Sequence, residues 1–185
     1  PAASNNVLVW NLVDEQWYRP SITAIAGSTI PLPQKFAPCV EFPTGKMFVL
    51  IANTTDQTKN AAVLDVTQWS WQEITTSSTP SDFRIGVTLT AANDSIYRYA
   101  GRALDVQGNQ AQTTNNLLDP NTLLWTPRAS GPSLAYHTAC YLSKFDVIAV
   151  FGGQNSDFQV QDVFVTYSIS QDVWHQLDQP MSNKP

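Results

Sequence analysis

The sequence predicts an all-β protein built from a row of similar four-stranded antiparallel sheets. Tryptophans recur at Trp17, Trp71, Trp125 and Trp174, at separations of 54, 54 and 49 residues. Runs of strand length alternate with turn residues, and no stretch sustains the helical period. Because a fixed period of about 50 residues marks a repeat architecture, we expect one sheet per repeat.

The third and fourth strands of each repeat are marked by a short polar residue six positions before its tryptophan. Side chains of this type bond to nearby backbone and start turns, and a β-rich run precedes each of them. The tryptophan then opens the outer strand, where its ring is expected to cover the core between adjacent sheets. The polar residues are Asn11, Asp65, Asp119 and Ser168.

The first and second strands precede this hairpin in three repeats. Two β-like runs per repeat, separated by turn residues, bring the total to four strands. One four-stranded sheet per repeat of about 50 residues is the blade of a β-propeller. Complete blades are predicted over 32–75, 82–128 and 135–178, the outer half of a blade over 1–20, and a tail over 179–185.

The last repeat resembles the Kelch motif. Its apolar run 148–151 ends at Gly152 and Gly153, and Tyr167 and Trp174 follow at the positions that the motif requires. In the earlier blades this glycine pair is replaced by 100–101 (Ala-Gly) and 52–53 (Ala-Asn), small residues that fit a close approach of two backbones. The resemblance covers essentially the whole chain. It implies a Kelch-type β-propeller, of which these residues supply about three and a half blades.

Three and a half blades do not close a ring that normally holds four to eight. An unpaired blade edge is also a liability for association. We therefore expect this to be part of a larger propeller, completed by further blades or by a second chain. The alternative is a four-bladed ring with one incomplete blade.

Composition and charge exclude some classes of partner. The net charge is −5, and the ten Lys and Arg residues are scattered singly, so no basic stripe exists for nucleic acid. The longest apolar run, 47–52, is too short to span a bilayer. Only 14% of residues are charged, which favours a secreted or cell-surface protein over the cytoplasmic alternative. Asn53 and Asn93 begin possible glycosylation sequons.

The sequence contains no recognisable catalytic motif, and we expect no catalytic residue, metal site or cofactor. Cys39 and Cys140 are expected to be small buried residues, with one disulfide as the alternative. His137 lies near the predicted channel mouth, either as a hydrogen-bonded strand residue or as a ligand contact. His175, on an outer strand, is expected to be exposed to solvent.

The Kelch resemblance implies binding through the loops that join strands 2 and 3 and those that join strand 4 to the next blade. Arg84 and Arg102 either capture carboxylates at this face or cap local carbonyls. Phe158 either anchors a partner or folds back onto its own blade. The candidate binding residues are Arg84, Arg102, Asp105, Gln107, Asn109, His137, Asn155, Asp157 and Phe158.

We therefore expect a non-catalytic scaffold for protein–protein interaction. The alternative is a carbohydrate-binding or galactose-oxidase-like domain acting on sugars, suggested by amide-rich loops and by Tyr18 and Tyr97 as exposed aromatics. A copper oxidase needs converging imidazoles and tyrosinates, and a single candidate histidine argues against it.

Overall fold

The computed structural model describes residues 7–25, 38–42, 45–50, 61–77, 84–103 and 110–177. Within these ranges the protein is all-β, and its one helical element is a 3-10 turn at Ser143–Phe145. The strands form several sheets, none of them closed on itself among the described residues. The all-β prediction is confirmed. The chain divides into two compact units, residues 1–76 and 77–185.

The first unit contains a hairpin and a larger sheet. In the hairpin, β1 pairs antiparallel with β2, and Trp10 lies opposite Trp17. The larger sheet has the order β3-β7-β6-β5-β4, antiparallel except for β3, which adds in parallel to the outer edge. The strands are β1 (Val9–Asn11), β2 (Gln16–Tyr18), β3 (Thr23–Ala24), β4 (Cys39–Phe42), β5 (Lys46–Leu50), β6 (Ala61–Asp65) and β7 (Ser70–Ile74).

The second unit contains two four-stranded antiparallel meanders and one short pair of strands. The strands are β8 (Arg84–Ile85), β9 (Thr88–Ala92), β10 (Ser95–Tyr99), β11 (Arg102–Ala103), β12 (Asn115–Asp119), β13 (Leu124–Arg128), β14 (Thr138–Leu142), β15 (Val147–Phe151), β16 (Phe164–Ser168) and β17 (Val173–Gln176). The meanders have the orders β9-β10-β12-β13 and β14-β15-β16-β17, and β8 pairs with β11.

In three of the four repeats the polar residue before the outer hairpin starts the turn, as the repeat pattern predicts. The Oδ1 atoms of Asn11, Asp65 and Asp119 each accept a hydrogen bond at 2.8 Å from the backbone N–H two residues later. The N–H of Asn121 is the main cause that lowers the pKa of the Asp119 carboxyl. Short polar side chains thus replace missing backbone partners in these turns.

Every one of these turns ends on a residue with a left-handed backbone, two positions before the tryptophan. Their φ values lie between 49° and 56°. None of the four is glycine, and only Asp172 is of a type that favours this conformation, so residue type alone did not mark it. The residues are Glu15, Trp69, Leu123 and Asp172.

The small residues after the second strand allow two backbones to approach closely. Gly152 and Gly153 have φ values of 69° and 100°, and Ala100 and Gly101, at the equivalent point of the preceding sheet, have 55° and 87°. A Cβ atom added to Gly153 would lie 2.8 Å from the carbonyl oxygen of Ala135. A Cβ atom added to Gly101 would lie 2.8 Å from the Cβ atom of Val87, so the inferred close approach is confirmed at the second residue of both pairs.

The core of the second unit lies between its two meanders. Successive residues of a strand point to opposite faces of a sheet, and we call the face that carries the repeat tryptophan face A and the opposite one face B. Face A of the β14–β17 sheet packs on face B of the β9–β13 sheet. Tyr99 lies against Trp174, with ring centroids 4.4 Å apart, and Tyr97 lies 5.9 Å from Tyr167.

The linker between these meanders is hydrogen-bonded to the outer hairpin of the second one. The indole Nε1 of Trp174 donates to the carbonyl of Ala129 at 2.8 Å. The carboxylate of Asp172 accepts from the Ala129 N–H at 2.9 Å and from the Tyr167 hydroxyl at 2.5 Å. Gly131 leaves room for the indole, because a Cβ atom there would lie 2.6 Å from Trp174.

The predicted position of the repeat tryptophans is correct in three repeats and wrong in the first. Trp71 and Trp125 are buried, and Trp174 packs against the core of the second unit. Trp17 is 65% exposed, because its face of the β1–β2 hairpin is not covered by other described residues.

The expectation that both cysteines are buried is also wrong. Cys39 and Cys140 are exposed free thiols. Cys140 lies opposite Ala149 on face B of the β14–β17 sheet, the face on which no other sheet of the second unit packs among the described residues. Cys39 begins β4, the edge strand of its sheet.

Candidate functional site

Three of the predicted binding residues, Arg102, Asn155 and Phe158, meet in one cluster of the second unit. Arg102 is fully buried. Its guanidinium donates to the carbonyl oxygens of Asn155 at 2.6 Å and of Ser156 at 3.3 Å. The ring of Phe158 covers the same guanidinium, with its centroid 3.9 Å from the Cζ atom. Arg102 therefore holds the loop after β15 against the β8–β11 pair.

The amide of Asn155 gives this loop its shape. Its Oδ1 atom accepts hydrogen bonds at 3.0 Å from the backbone N–H groups of Asp157 and Gln159. Its Nδ2 atom donates to the Gln159 side chain at 3.1 Å. The backbone N–H of Asn155 donates to the Gln159 carbonyl at 3.1 Å. The loop is thus closed by its own polar groups, and Phe158 lies near its tip.

Phe158 combines exposure with an unfavourable backbone conformation. Its side chain is 57% exposed although one ring face lies on Arg102. Its φ of 61° lies in the left-handed region, which costs a non-glycine residue about 1–2 kcal/mol. Such strain persists only where the surroundings impose it and concentrates at functional sites. The ring face lies on Arg102 of the preceding repeat, so this contact is not the folding back onto its own blade that was the second alternative for Phe158.

Tyr136 is a second exposed aromatic residue with a left-handed backbone, and the sequence did not indicate it. Its φ is 58°, and its N–H donates to the Gly86 carbonyl at 2.8 Å. The preceding residue, Ala135, exchanges backbone hydrogen bonds with Gln154, next to the Phe158 loop. The loop that enters the last sheet therefore borders the Phe158 loop. Nothing in the local sequence marks a tyrosine as left-handed.

Arg84 is also buried and directed inward. Its guanidinium donates to the carbonyl of Ala100 at 3.0 Å and to the Thr114 hydroxyl at 2.5 Å. Of the two alternatives drawn from the sequence for Arg84 and Arg102, the contacts correspond to the capping of local oxygens. Both arginines support the loops at this end of the second unit.

His137 lies in the interior, directly before β14. Its Nε2 atom and the Thr88 hydroxyl are 2.9 Å apart, and its ring contacts the edge of Tyr99 with centroids 5.0 Å apart. Among the described residues its Nδ1 atom has no hydrogen-bond partner. Burial lowers the pKa of His137 to about 4, so the ring is neutral at pH 7. Of the two alternatives for this residue, the contacts correspond to the hydrogen-bonded one.

Tyr99 and Tyr97 form part of the same interior. Burial raises the pKa of Tyr99, and its hydroxyl donates to the Pro132 carbonyl at 2.5 Å. Tyr97, expected from the sequence to be an exposed aromatic, is buried in the core between the two meanders. It faces the covered side of β10, and the strand alternation there places every second residue in the core. Tyr18 is exposed as expected.

Asn93 lies in the two-residue turn between β9 and β10, and its side chain is engaged. Its Nδ2 atom donates to Asp146 at 2.7 Å, and its Oδ1 atom accepts from the Tyr141 hydroxyl at 2.7 Å. His175 is exposed on β17, as expected. The predicted features at Asn53, Asp105, Gln107 and Asn109 lie outside the described residues.

The described residues include neither a metal-binding cluster nor a helix that could span a membrane. No three His, Cys, Asp or Glu side chains within those ranges lie close enough together to hold a metal ion. Within the same ranges, no helix has the length and apolar character needed to cross a bilayer.

No protein-family model matches the chain, and no curated protein matches it significantly. The loops of the second unit therefore supply the features that bear on function.

Proposed function

We propose that the chain forms Kelch-type β-propeller blades and is a non-catalytic scaffold that binds a protein through its loop face. Three properties support the blade assignment: four-stranded meanders in chain order, a repeated turn before each outer strand, and face-to-face packing of the two meanders in the second unit. Fold alone does not specify function, so the binding proposal depends on the cluster around Arg102.

The observation that carries the binding proposal is the exposed ring of Phe158, supported from beneath by a buried arginine. Aromatic anchors dominate the energy of protein interfaces when they enter a pocket on the partner. A ring whose loop is already ordered loses little conformational freedom on binding. The hydrogen bonds of Asn155 and the contact with Arg102 supply that order.

A protein partner fits this surface for a further reason. The polar groups below the ring already have partners within the protein, since Arg102 and Asn155 bond to loop oxygens and loop N–H groups. What the loop offers outward is an apolar ring beside the exposed side chain of Asp157. An apolar centre with a polar rim is the usual composition of a protein-binding patch.

The test compares proteins that co-purify with the wild-type chain, with a Phe158→Ala variant and with a matched Phe145→Ala control. Phe145 is also exposed, but it lies on the 3-10 turn between β14 and β15, away from the loop cluster. We expect Phe158→Ala to lose the partner by about tenfold or more, and Phe145→Ala to retain it. Quantitative mass spectrometry of cross-linked samples provides the readout.

The opposite result has a clear meaning. Equal recovery of the partner by wild type and Phe158→Ala would contradict the proposal that this loop binds it. Arg102→Ala is unsuitable as the only variant, because removing a buried guanidinium also leaves the carbonyls of Asn155 and Ser156 without their donor.

A carbohydrate ligand is the second candidate, favoured by the exposed ring of Phe158 next to the amide side chains of Asn155 and Gln159. A glycan array with wild type and Phe158→Ala separates the two candidates. Binding of a glycan by wild type that Phe158→Ala loses would favour the carbohydrate and count against a protein partner at this loop.

A further inference from the structure

Face B of the β14–β17 sheet is an apolar surface that no other sheet of the second unit covers among the described residues. Phe151 is 52% exposed, and Leu142 and Val173 are also exposed. The ring of Phe151 contacts that of Phe164 on the neighbouring strand, with centroids 6.4 Å apart. The residues of the β-strands on this face include no Asp, Glu, Lys or Arg. They are Thr138, Cys140, Leu142, Val147, Ala149, Phe151, Phe164, Thr166, Ser168, Val173 and His175.

The same face is covered in the preceding sheet. Phe151 ends the second strand of its meander, as Tyr99 does in the β9–β13 sheet, and each is followed by a pair of left-handed small residues. Tyr99 is only 3% exposed, because face A of the next sheet packs on it through Trp174. The repeat thus specifies what kind of surface fits face B, namely the face A of a sheet that carries a tryptophan on its outer strand.

Face A of the β1–β2 hairpin is not covered by other residues that the structure describes. Trp17 is the repeat tryptophan, and it lies directly opposite Trp10, as Trp174 lies opposite Tyr167. Trp17 is 65% exposed, whereas the equivalent Trp125 is 2% exposed. Leu8, two residues before Trp10 on the same side of the strand, is exposed as well. Contiguous exposed apolar surface of this kind is typical of an interaction site.

We propose that face B of the β14–β17 sheet binds the face A of the β1–β2 hairpin of a second copy of this chain. The contact repeats the packing already present between the two meanders of the second unit, in which the tryptophan of face A lies on the strand-2 aromatic of face B. In this contact, Trp17 of one copy would lie on Phe151 of the other, as Trp174 lies on Tyr99 within the second unit. This interface is separate from the proposed loop face.

The two surfaces are different, so the contact is head-to-tail: each contact leaves one free surface of each kind, and repeated contacts give a ring or an open chain of copies. Each copy has one surface of each type, and a charge placed on one surface leaves the other intact. The variants used in the experiment therefore each carry a charge on one surface only.

Sedimentation velocity over a range of protein concentrations tests the proposal on the full chain. We expect wild type to associate reversibly. Phe151→Asp and Val173→Asp on face B, and Trp17→Asp on face A, should each weaken association by roughly a hundredfold, since each buries an unpaired carboxylate in the contact. Phe145→Asp, at an exposed aromatic in the turn between β14 and β15 and not on a strand of either face, is the matched control and should associate like wild type.

Mixing distinguishes the head-to-tail contact from other arrangements. Phe151→Asp retains its face A and Trp17→Asp retains its face B, so an equimolar mixture should form a heterodimer although neither variant associates alone. Circular dichroism of each variant verifies that it is folded. A wild type that stays monomeric at all concentrations, a mixture that does not associate, or a Trp17→Asp variant that associates like wild type would each overturn the proposal.

Discussion

Arg84, Arg102 and His137 lie in the interior of the second unit, and each forms at least one hydrogen bond within that unit. The two guanidinium groups bond to loop oxygens at distances between 2.5 and 3.3 Å. A buried charge is tolerated only with such partners. The arginines therefore order the loops at one end of the sheets, and the exposed side chains that they support, above all Phe158, are the ones available to a partner.

His137 predicts how stability depends on pH. In the folded protein its pKa is about 4, against 6.5 for an unperturbed histidine side chain. The unfolded chain therefore binds more protons than the folded one between these values, and stability falls as the pH decreases from about 6.5 to about 4, then levels off with respect to this group. Two and a half pKa units correspond to a loss of about 3 kcal/mol. Urea unfolding at a series of pH values measures it.

The controls for this prediction are two substitutions of histidine. His137→Gln should remove most of the decrease over this pH range, whereas His175→Gln, on the exposed outer strand, should leave it unchanged. Equal pH dependence in wild type and His137→Gln would contradict the assignment of the effect to His137.

The residue types at this site were predictable, but their environment was not. The sequence indicated Arg102, Asn155 and Phe158 as members of the loop face because polar loop residues between strands carry binding functions. It left open whether the arginines face a partner or local carbonyls, because this depends on where the loop after β15 lies relative to β11. Tyr136 was missed because nothing in its local sequence marks the left-handed backbone that it adopts.

At the scale of strands and turns, the same local chemistry recurs along the chain. An Asn or Asp oxygen accepts a backbone N–H at the start of the outer hairpin in three repeats, and a left-handed residue ends that turn in all four. The pattern of polar residue and tryptophan predicted these hairpins, because the two residues that mark each turn lie only six positions apart in the sequence. The left-handed residue was not predicted, since it is a different amino acid in each repeat.

The end of β15 supplies a prediction at this scale. Gly153→Ala should destabilise the protein by about 3 kcal/mol, because φ is 100° and the new Cβ atom would lie 2.8 Å from the Ala135 carbonyl. Gly152→Ala is the matched control: its φ is 69° and its nearest neighbour would be 4.0 Å away. It should therefore cost only about 1 kcal/mol. Chemical denaturation of both variants measures the difference, and equal losses would contradict the close approach.

At the scale of the whole molecule, one packing arrangement organises the second unit: face A of one sheet on face B of the preceding one. The all-β class and the four-stranded sheets were predictable, because each strand and turn has a local pattern. Whether the outermost faces are covered or exposed to solvent was not predictable, because the exposure of a sheet depends on what packs on it. Trp17 and Cys140 show this, as they carry the same patterns as residues that are covered elsewhere in the chain.

The proposed head-to-tail contact makes thermal stability depend on protein concentration. A partner that binds only the folded state raises the unfolding temperature by mass action. We therefore expect the Tm of wild type to rise with protein concentration, and that of Phe151→Asp to stay constant. Differential scanning fluorimetry over a hundredfold concentration range measures the dependence. A wild-type Tm that does not change would argue against association in the folded state.

The paired indoles of the first hairpin have an optical consequence. Trp10 and Trp17 lie with ring centroids 5.3 Å apart and planes inclined at 52°, a distance at which their electronic transitions couple. Coupled indoles that are not parallel produce a pair of circular-dichroism bands of opposite sign in the far ultraviolet. Replacing either tryptophan by phenylalanine removes the couplet, so the hairpin carries an intrinsic spectroscopic reporter that responds to whatever approaches these two rings.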